Sequence, residues 1–194
     1  MLILAFDTSS AQDSLTIYGK GSLADFRFSI PSKQSESLLD VVHLSLRVLG
    51  LRPDSIDRIA TCVGPGSYTG TRIGIATALG LSKASGIDCC GVDLLNVLAG
   101  SVDHVSIPFV EAKGDRIYFK LPNGEINAKS RAEFIQMSKT SEIPFIADVA
   151  TEFSLGIGAL HFDNGLTKSH IIAKIVSNYS KKEMEGSMDA LYFN

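Results

Sequence analysis

The chain has 194 residues, 45% of them hydrophobic and 20% charged, with a formal net charge of -3. That length holds one domain or two small ones, and the composition is that of a globular chain rather than a disordered one. The negative balance leaves little positive charge for gripping RNA or DNA unaided, and Cys62, Cys89 and Cys90 form neither a disulfide framework nor a metal-spaced set with histidine.

The opening run "MLILAFDTSS" has no basic start and reaches Asp7 too soon for a secretory leader. The weakly charged stretch 61–82 is broken by Pro65 and Arg72, which makes it a poor membrane span. A reducing, cytoplasmic setting without membrane contact is therefore expected, with the cysteines as small apolar residues. "LILAFDTS" is an apolar strand. "DSLTIYG" alternates, with Leu15 and Ile17 on one face, and after a turn at Gly19 and Gly21 "SLADFRFSI" alternates again through Leu23, Phe26 and Phe28. Three strands joined by tight turns predict an antiparallel meander.

A helix is predicted over 34–49, after a break at Pro31 and Ser32. Ser35 is its N-cap, Glu36 sits in its first turn and Gly50 is its stop. Glu36, Asp40, His43 and Arg47 form a polar stripe. Leu38, Leu39, Val41, Val42, Leu44, Leu46, Val48 and Leu49 cover most of the rest, a wider apolar face than one core contact requires. A strand over 57–64, a long helix from about 67, a strand in "GIDCCGV" and a helix "DLLNVLAGS" capped by Asp93 complete the order βββαβαβα. A meander followed by βαβ crossovers is the ribonuclease-H-like half of the actin/hexokinase architecture. The second half restarts with strands in "VSIPFVEA" and "RIYFKLPNGEI", the latter turning at Asn123-Gly124. A helix in "KSRAEFIQMSK", a strand in "IPFIADV" and a late helix in "KSHIIAKIVSNYSKK" follow. The expected division is a first lobe over 1–102 and a shortened second α/β lobe over 103–194, with no internal repeat visible.

"GPGSYTGTRIGIATALGLSKASG", residues 64–86, runs from a strand into a helix. Its glycines allow a sharp turn, Ser67 or Thr69 can cap the helix, and free amides there could hold an anion. It is neither a P-loop nor a registered GxGxxG. Gly70, Gly74, Ala78 and Ser82 recur every four residues, a row that lets another element come close. Arg72 and Lys83 lie eleven residues apart, within about 20° on the helix, so the polar edge is narrow. Either the row packs inside its own domain, or one side rests on the sheet and the other receives a partner. The same excess of apolar surface on the first helix favours a partner.

"ILAFDTSS", "SESLLDVV" and the 64–86 motif closely resemble the TsaB/YeaZ family, bacterial dimerization subunits of the tRNA threonylcarbamoyladenosine machinery. The likeness covers roughly 1–100. "VEAKGDRIYF" departs from the family's corresponding segment at Glu111, Lys113, Asp115 and Ile117, and the terminal "ALYFN" looks like a truncated tail. Gln34, Tyr68 and Thr71 are further departures. The resemblance implies a chain that shares its fold with the catalytic subunit TsaD, lacks that subunit's metal site and pairs with it through helices of the first lobe. The expected interface residues are Leu38, Leu39, Val42, Leu46, Gly70, Arg72, Gly74 and Ala78. The implied partners are the TsaD-like subunit and a TsaE-like ATPase. The same surface could serve a homodimer when the chain is alone, which leaves monomer and homodimer both open, and tRNA is met only through the complex. The product is a modified adenosine beside the anticodon of tRNAs reading codons that begin with A.

The histidines, His43, His104, His161 and His170, include no pair four apart, so no catalytic metal site is expected. Asp7, with Thr8 and Ser9, ends the first strand where actin-like ATPases order a nucleotide, yet the glycine that folds such a hairpin over phosphate is missing. The other reading is a turn carboxylate capping backbone amides. The expectation is a non-catalytic subunit with no cofactor of its own and ATP or ADP at most at the interface of a complex. A free-standing actin-like ATPase or small-molecule kinase is the alternative, and a metallopeptidase the weaker one.

Overall fold

A computed structural model describes residues 1–10, 12–28, 34–112, 114–147, 155, 157–161, 165–185 and 188–191, without the side chains of residues 22 and 34–36. The break at Pro31 and Ser32, the Ser35 cap and Glu36 side chain, Lys113, the end of "IPFIADV" and the last three residues of "ALYFN" therefore lie outside the described residues.

The first sheet contains β1 (Ile3–Asp7), β2 (Asp13–Tyr18), β3 (Ser22–Phe28), β4 (Arg58–Cys62) and β5 (Asp88–Val92), in the order β3-β2-β1-β4-β5. The meander β1-β2-β3 is antiparallel, with Ile3 opposite Tyr18 and Asp7 opposite Ser14, while β1, β4 and β5 run parallel. Every residue of β1 is buried, as expected of a central strand covered on both faces. The crossovers are α1 (Gln34–Val48) and α2 (Tyr68–Ser85), and α3 (Leu94–Ala99) follows β5. Alternation puts Leu4, Phe6, Leu15, Ile17 and Ile59 in one core with Leu38, Val42 and Leu46 of α1 and Ala78 of α2. Gly50 ends α1 at φ 63°, with its amide on the Arg47 carbonyl and that of Leu51 on Leu46. Ser67 caps α2, accepting from the Gly70 amide at 3.2 Å, and Gly86 closes it at φ 73°.

The boundary expected at 102 needs correction. The two compact units are Met1–Leu94 with Thr167–Asn194, and Leu95–Leu166. The physical reason lies in the other face of the first sheet, which the crossover helices leave uncovered. Helix α5 (Lys168–Ser177) lies against β1, β2 and β4 and buries Ile171, Ile172, Ala173 and Val176. Polar groups fix its position. The Ser169 amide donates to Ser14 Oγ at 3.2 Å, Thr16 Oγ1 lies 2.8 Å from Ser169 Oγ, and Thr16 and Thr167 both donate to Asp25. At its other end Arg58 donates to the carbonyls of Val176 and Tyr179 at 2.7 and 2.9 Å, a cation at the negative end of the helix. The short α6 (Lys181–Met184) follows.

The second unit has β6 (Ile107–Ala112), β7 (Arg116–Lys120), β8 (Ile126–Ser130), α4 (Arg131–Ser138), β9 (Phe145–Ala147) and β10 (Leu160–His161). Its sheet order is β10-β9-β6-β7-β8, with an antiparallel meander β6-β7-β8 and β9 and β10 parallel to β6. This is the plan of the first sheet, so the chain carries a topological repeat that its residue identities do not display. Phe134 of α4, fully buried, sits 4.9 to 5.3 Å from the rings of Phe109, Phe119 and Phe145. The chain thus has the mixed α/β, actin-like architecture.

Candidate functional site

The loop after β1 is where an actin-like lobe would take a nucleotide, and its groups are engaged within the chain. Asp7 is fully buried. Its carboxylate accepts from the Ser9 amide at 2.9 Å and from the hydroxyls of Ser9 and Ser10, both at 2.6 Å. Thr8 Oγ1 donates to the Gly70 carbonyl at 2.7 Å, and the Ser67 amide donates to the Ser9 carbonyl at 2.7 Å. The start of α2 therefore lies directly on the loop. A Cβ on Gly66 would stand 2.5 Å from the Ser9 carbonyl oxygen, and one on Gly70 would overlap that of Thr8. Asp7 is a capping carboxylate, and Thr8 and Ser9 are seats for α2.

Cys62, at the end of β4, lies in the same interior. Burial pushes its thiol up to about 12, with the Asp7 charge adding to the shift. Burial does the same to Cys90, also to about 12, with Cys89 contributing. Both thiols are protonated at neutral pH and shielded from reagents. A thiol-reactive disulfide reagent at pH 8 should modify at most the half-buried Cys89 in the native protein and all three cysteines after unfolding. Rapid native labelling of Cys62 would contradict this placement.

The residues expected at a partner interface separate into two groups. Gly70, Gly74 and Ala78 are buried and face the chain's own sheet, so the row of small residues read as a partner surface is a core contact. A Cβ on Gly74 would lie 2.7 Å from Thr61 Oγ1 and 2.8 Å from Thr8 Oγ1. Leu38, at 0% exposure, belongs to the core, and Val42 and Leu46, at 6% each, are core residues that also floor a surface groove. Leu39, 48% exposed, and Arg72 remain outside. Arg72 lays its guanidinium 3.4 Å from the centre of the Tyr68 ring, a cation–π stack on the outer side of α2.

A different face is open. On α1, Leu39, Leu44 and Val48 are exposed beside Asp40, His43 and Arg47. On α2, Arg72, Ala76, Leu79, Gly80, Lys83 and Ala84 are exposed, which gives a second row of small residues at Ala76, Gly80 and Ala84. Nothing lies within 4 Å of where a Gly80 Cβ would stand. Between the helices runs an apolar groove of about 350 Å³, bordered by Leu39, His43, Pro53, Leu81, Ala84 and Ile87. The sequence reading missed Pro53, Leu81, Ala84 and Ile87. The 3-10 turn at Pro53–Ser55 gives no periodic signal, and the outward small row was masked by the inward one on the same helix. Among the described residues no cluster of three histidine, cysteine or carboxylate groups could hold a metal ion, and no helix is long and apolar enough to cross a membrane.

With this geometry in place, comparison with known proteins is informative. The family model "TsaD: tRNA N6-adenosine threonylcarbamoyltransferase" matches residues 30–144. The chain belongs to that family. It is 26% identical over 159 residues to the tRNA threonylcarbamoyladenosine biosynthesis protein TsaB of Bacillus subtilis, a match covering 75% of this chain and 69% of that protein. To the Escherichia coli TsaB it is 32% identical over 99 residues, covering 51% of this chain and 43% of the relative. A Pseudomonas aeruginosa crystal structure, described as similar to the peptidase YeaZ, superposes with a TM-score of 0.76 at 19% identity, covering 100% of this chain and 99% of that one. That likeness is one of fold. The TsaB/YeaZ resemblance of the first lobe and the expected architecture hold.

Proposed function

We propose that the chain is a non-catalytic partner subunit in tRNA threonylcarbamoyladenosine biosynthesis, pairing with a TsaD-like catalytic subunit through the outer faces of α1 and α2. The observation that carries the reading is that face: Leu39 of α1 and Leu81 and Ala84 of α2 border an apolar groove, and α2 exposes Leu79 and the small row Ala76, Gly80, Ala84 beside it. An open apolar groove marks an interaction site, and small residues let helix axes approach to about 8–10 Å. Membership of that family and the names of the relatives support the pathway. In this reading a TsaE-like ATPase joins the pair in the cytoplasm, tRNA is met through the complex, and ATP or ADP has its place in the assembly rather than in the filled loop after β1. That filled loop also disfavours a free-standing ATPase or kinase.

Co-expression with the TsaD-like subunit of the same organism tests the proposal. A stable complex should form, modified adenosine should appear only when both chains are present with the rest of the pathway, and this chain alone should turn over neither ATP nor peptide. Stoichiometric ATP or peptide turnover by the isolated chain, or failure of the two chains to associate, would overturn it.

A further inference from the structure

The residues Met188–Leu191 meet the loop from which α2 departs. The Leu191 amide donates to the Val63 carbonyl at 2.8 Å, just beyond β4. Val63 in turn donates to Val92 at 3.0 Å, and the Gly64 carbonyl accepts from the Leu94 amide at 2.7 Å. Gly64 holds φ 96°, and a Cβ there would stand 3.1 Å from the Leu191 carbonyl oxygen, so two backbones touch at this glycine. Met188 packs against the core of the first lobe. Gly64, Pro65 and Gly66 alone separate Val63 from the Ser67 cap. A glycine-rich connection has many accessible conformations, and outside contacts select one. Here the contacts come from the loop after β1, from the start of α3 and from Met188–Leu191.

We propose that Met188–Leu191 is a strap that fixes the direction in which α2 leaves β4, and so regulates the docking face from a segment that forms no part of it. The regulatory half of this inference rests on the docking role proposed above, whereas the strap itself does not. When the strap is seated, the first turn of α2 is held on Thr8 and Ser9, and Arg72, Ala76 and Gly80 are presented in one orientation. When it is lifted, Val63 loses a donor, Gly64 loses its neighbour, and the first turns of α2 open more often.

The test uses the full chain, Leu191→Pro, and a chain lacking residues 188–194. Leu191→Pro removes one donor and leaves Met188 in place, so it decides the matter if the deletion unfolds the lobe. Hydrogen exchange at residues 64–73 should quicken about fivefold or more in Leu191→Pro, the worth of one hydrogen bond, while β1 and α5 keep their protection. Affinity for the TsaD-like subunit should fall severalfold. Unchanged exchange at 64–73, or exchange raised equally throughout the lobe, overturns the strap. Faster local exchange with unchanged affinity overturns its regulatory role. If the unaltered full chain binds no TsaD-like subunit, the docking proposal fails, and the exchange measurement still decides the strap.

Discussion

Gly70→Ala should leave the first lobe unable to hold its native packing. A methyl group at this position overlaps the carbonyl oxygen of Thr8, a backbone atom that no rotamer change can move. To make room, α2 must lift from the end of β1. That would cost the bond from Thr8 Oγ1 to the Gly70 carbonyl, the bond from the Ser67 amide to Ser9, and the burial of Ala78. Overpacking of a filled interior costs about 1–3 kcal/mol and occasionally more. Gly70→Ala belongs at or beyond the top of that range, against a total stability of about 5–15 kcal/mol for a typical domain. Gly74→Leu should follow the same course, because its Cβ alone meets the hydroxyls of Thr61 and Thr8 at 2.7 and 2.8 Å. Urea unfolding followed by circular dichroism measures both. A Gly70→Ala protein with unchanged stability would mean that α2 does not seat on the loop after β1.

Much of the first lobe was legible because its signals are local. Leu15 and Ile17 alternate with residues that turn to the other face, Ser67 can bond its own helix, and Gly50 can adopt a positive φ wherever the rest of the chain goes. What eluded sequence reasoning depends on distance. Ile171, Ile172 and Val176 announce a helix with one buried face, but the sheet they cover begins more than 150 residues earlier, and no periodicity names it. The small row Gly70, Gly74, Ala78 announces close approach without saying to what. Its neighbour is β1 and β4 of the same lobe, marked only by the hydroxyls of Thr8 and Thr61. The second sheet repeats the first in topology with strands as short as Leu160–His161, too brief for an alternation to register.

Gly80→Leu should give the opposite result from Gly74→Leu. The two glycines are six residues apart, which at about 100° per residue leaves them about 120° apart around the helix. One faces the sheet, and the other has nothing within 4 Å of its Cβ position. Leucine at Gly80 therefore displaces no atom of the lobe, and the loss of a mid-helix glycine favours α2 by up to about 1 kcal/mol. The melting temperature should stay level or rise. If the row Ala76, Gly80, Ala84 receives a helix of the TsaD-like subunit, the added side chain stands where that helix must pass. Truncating or blocking a central interface residue costs about 2 kcal/mol or more, or about thirtyfold in affinity. Calorimetric titration and thermal melts of the same preparations read both quantities. Unchanged affinity would move the interface to the α1 side of the groove, at Leu39 and His43. A protein that melts much earlier would mean that Gly80 is covered in solution when no partner subunit is present, and the occupant would then be a second copy of this chain.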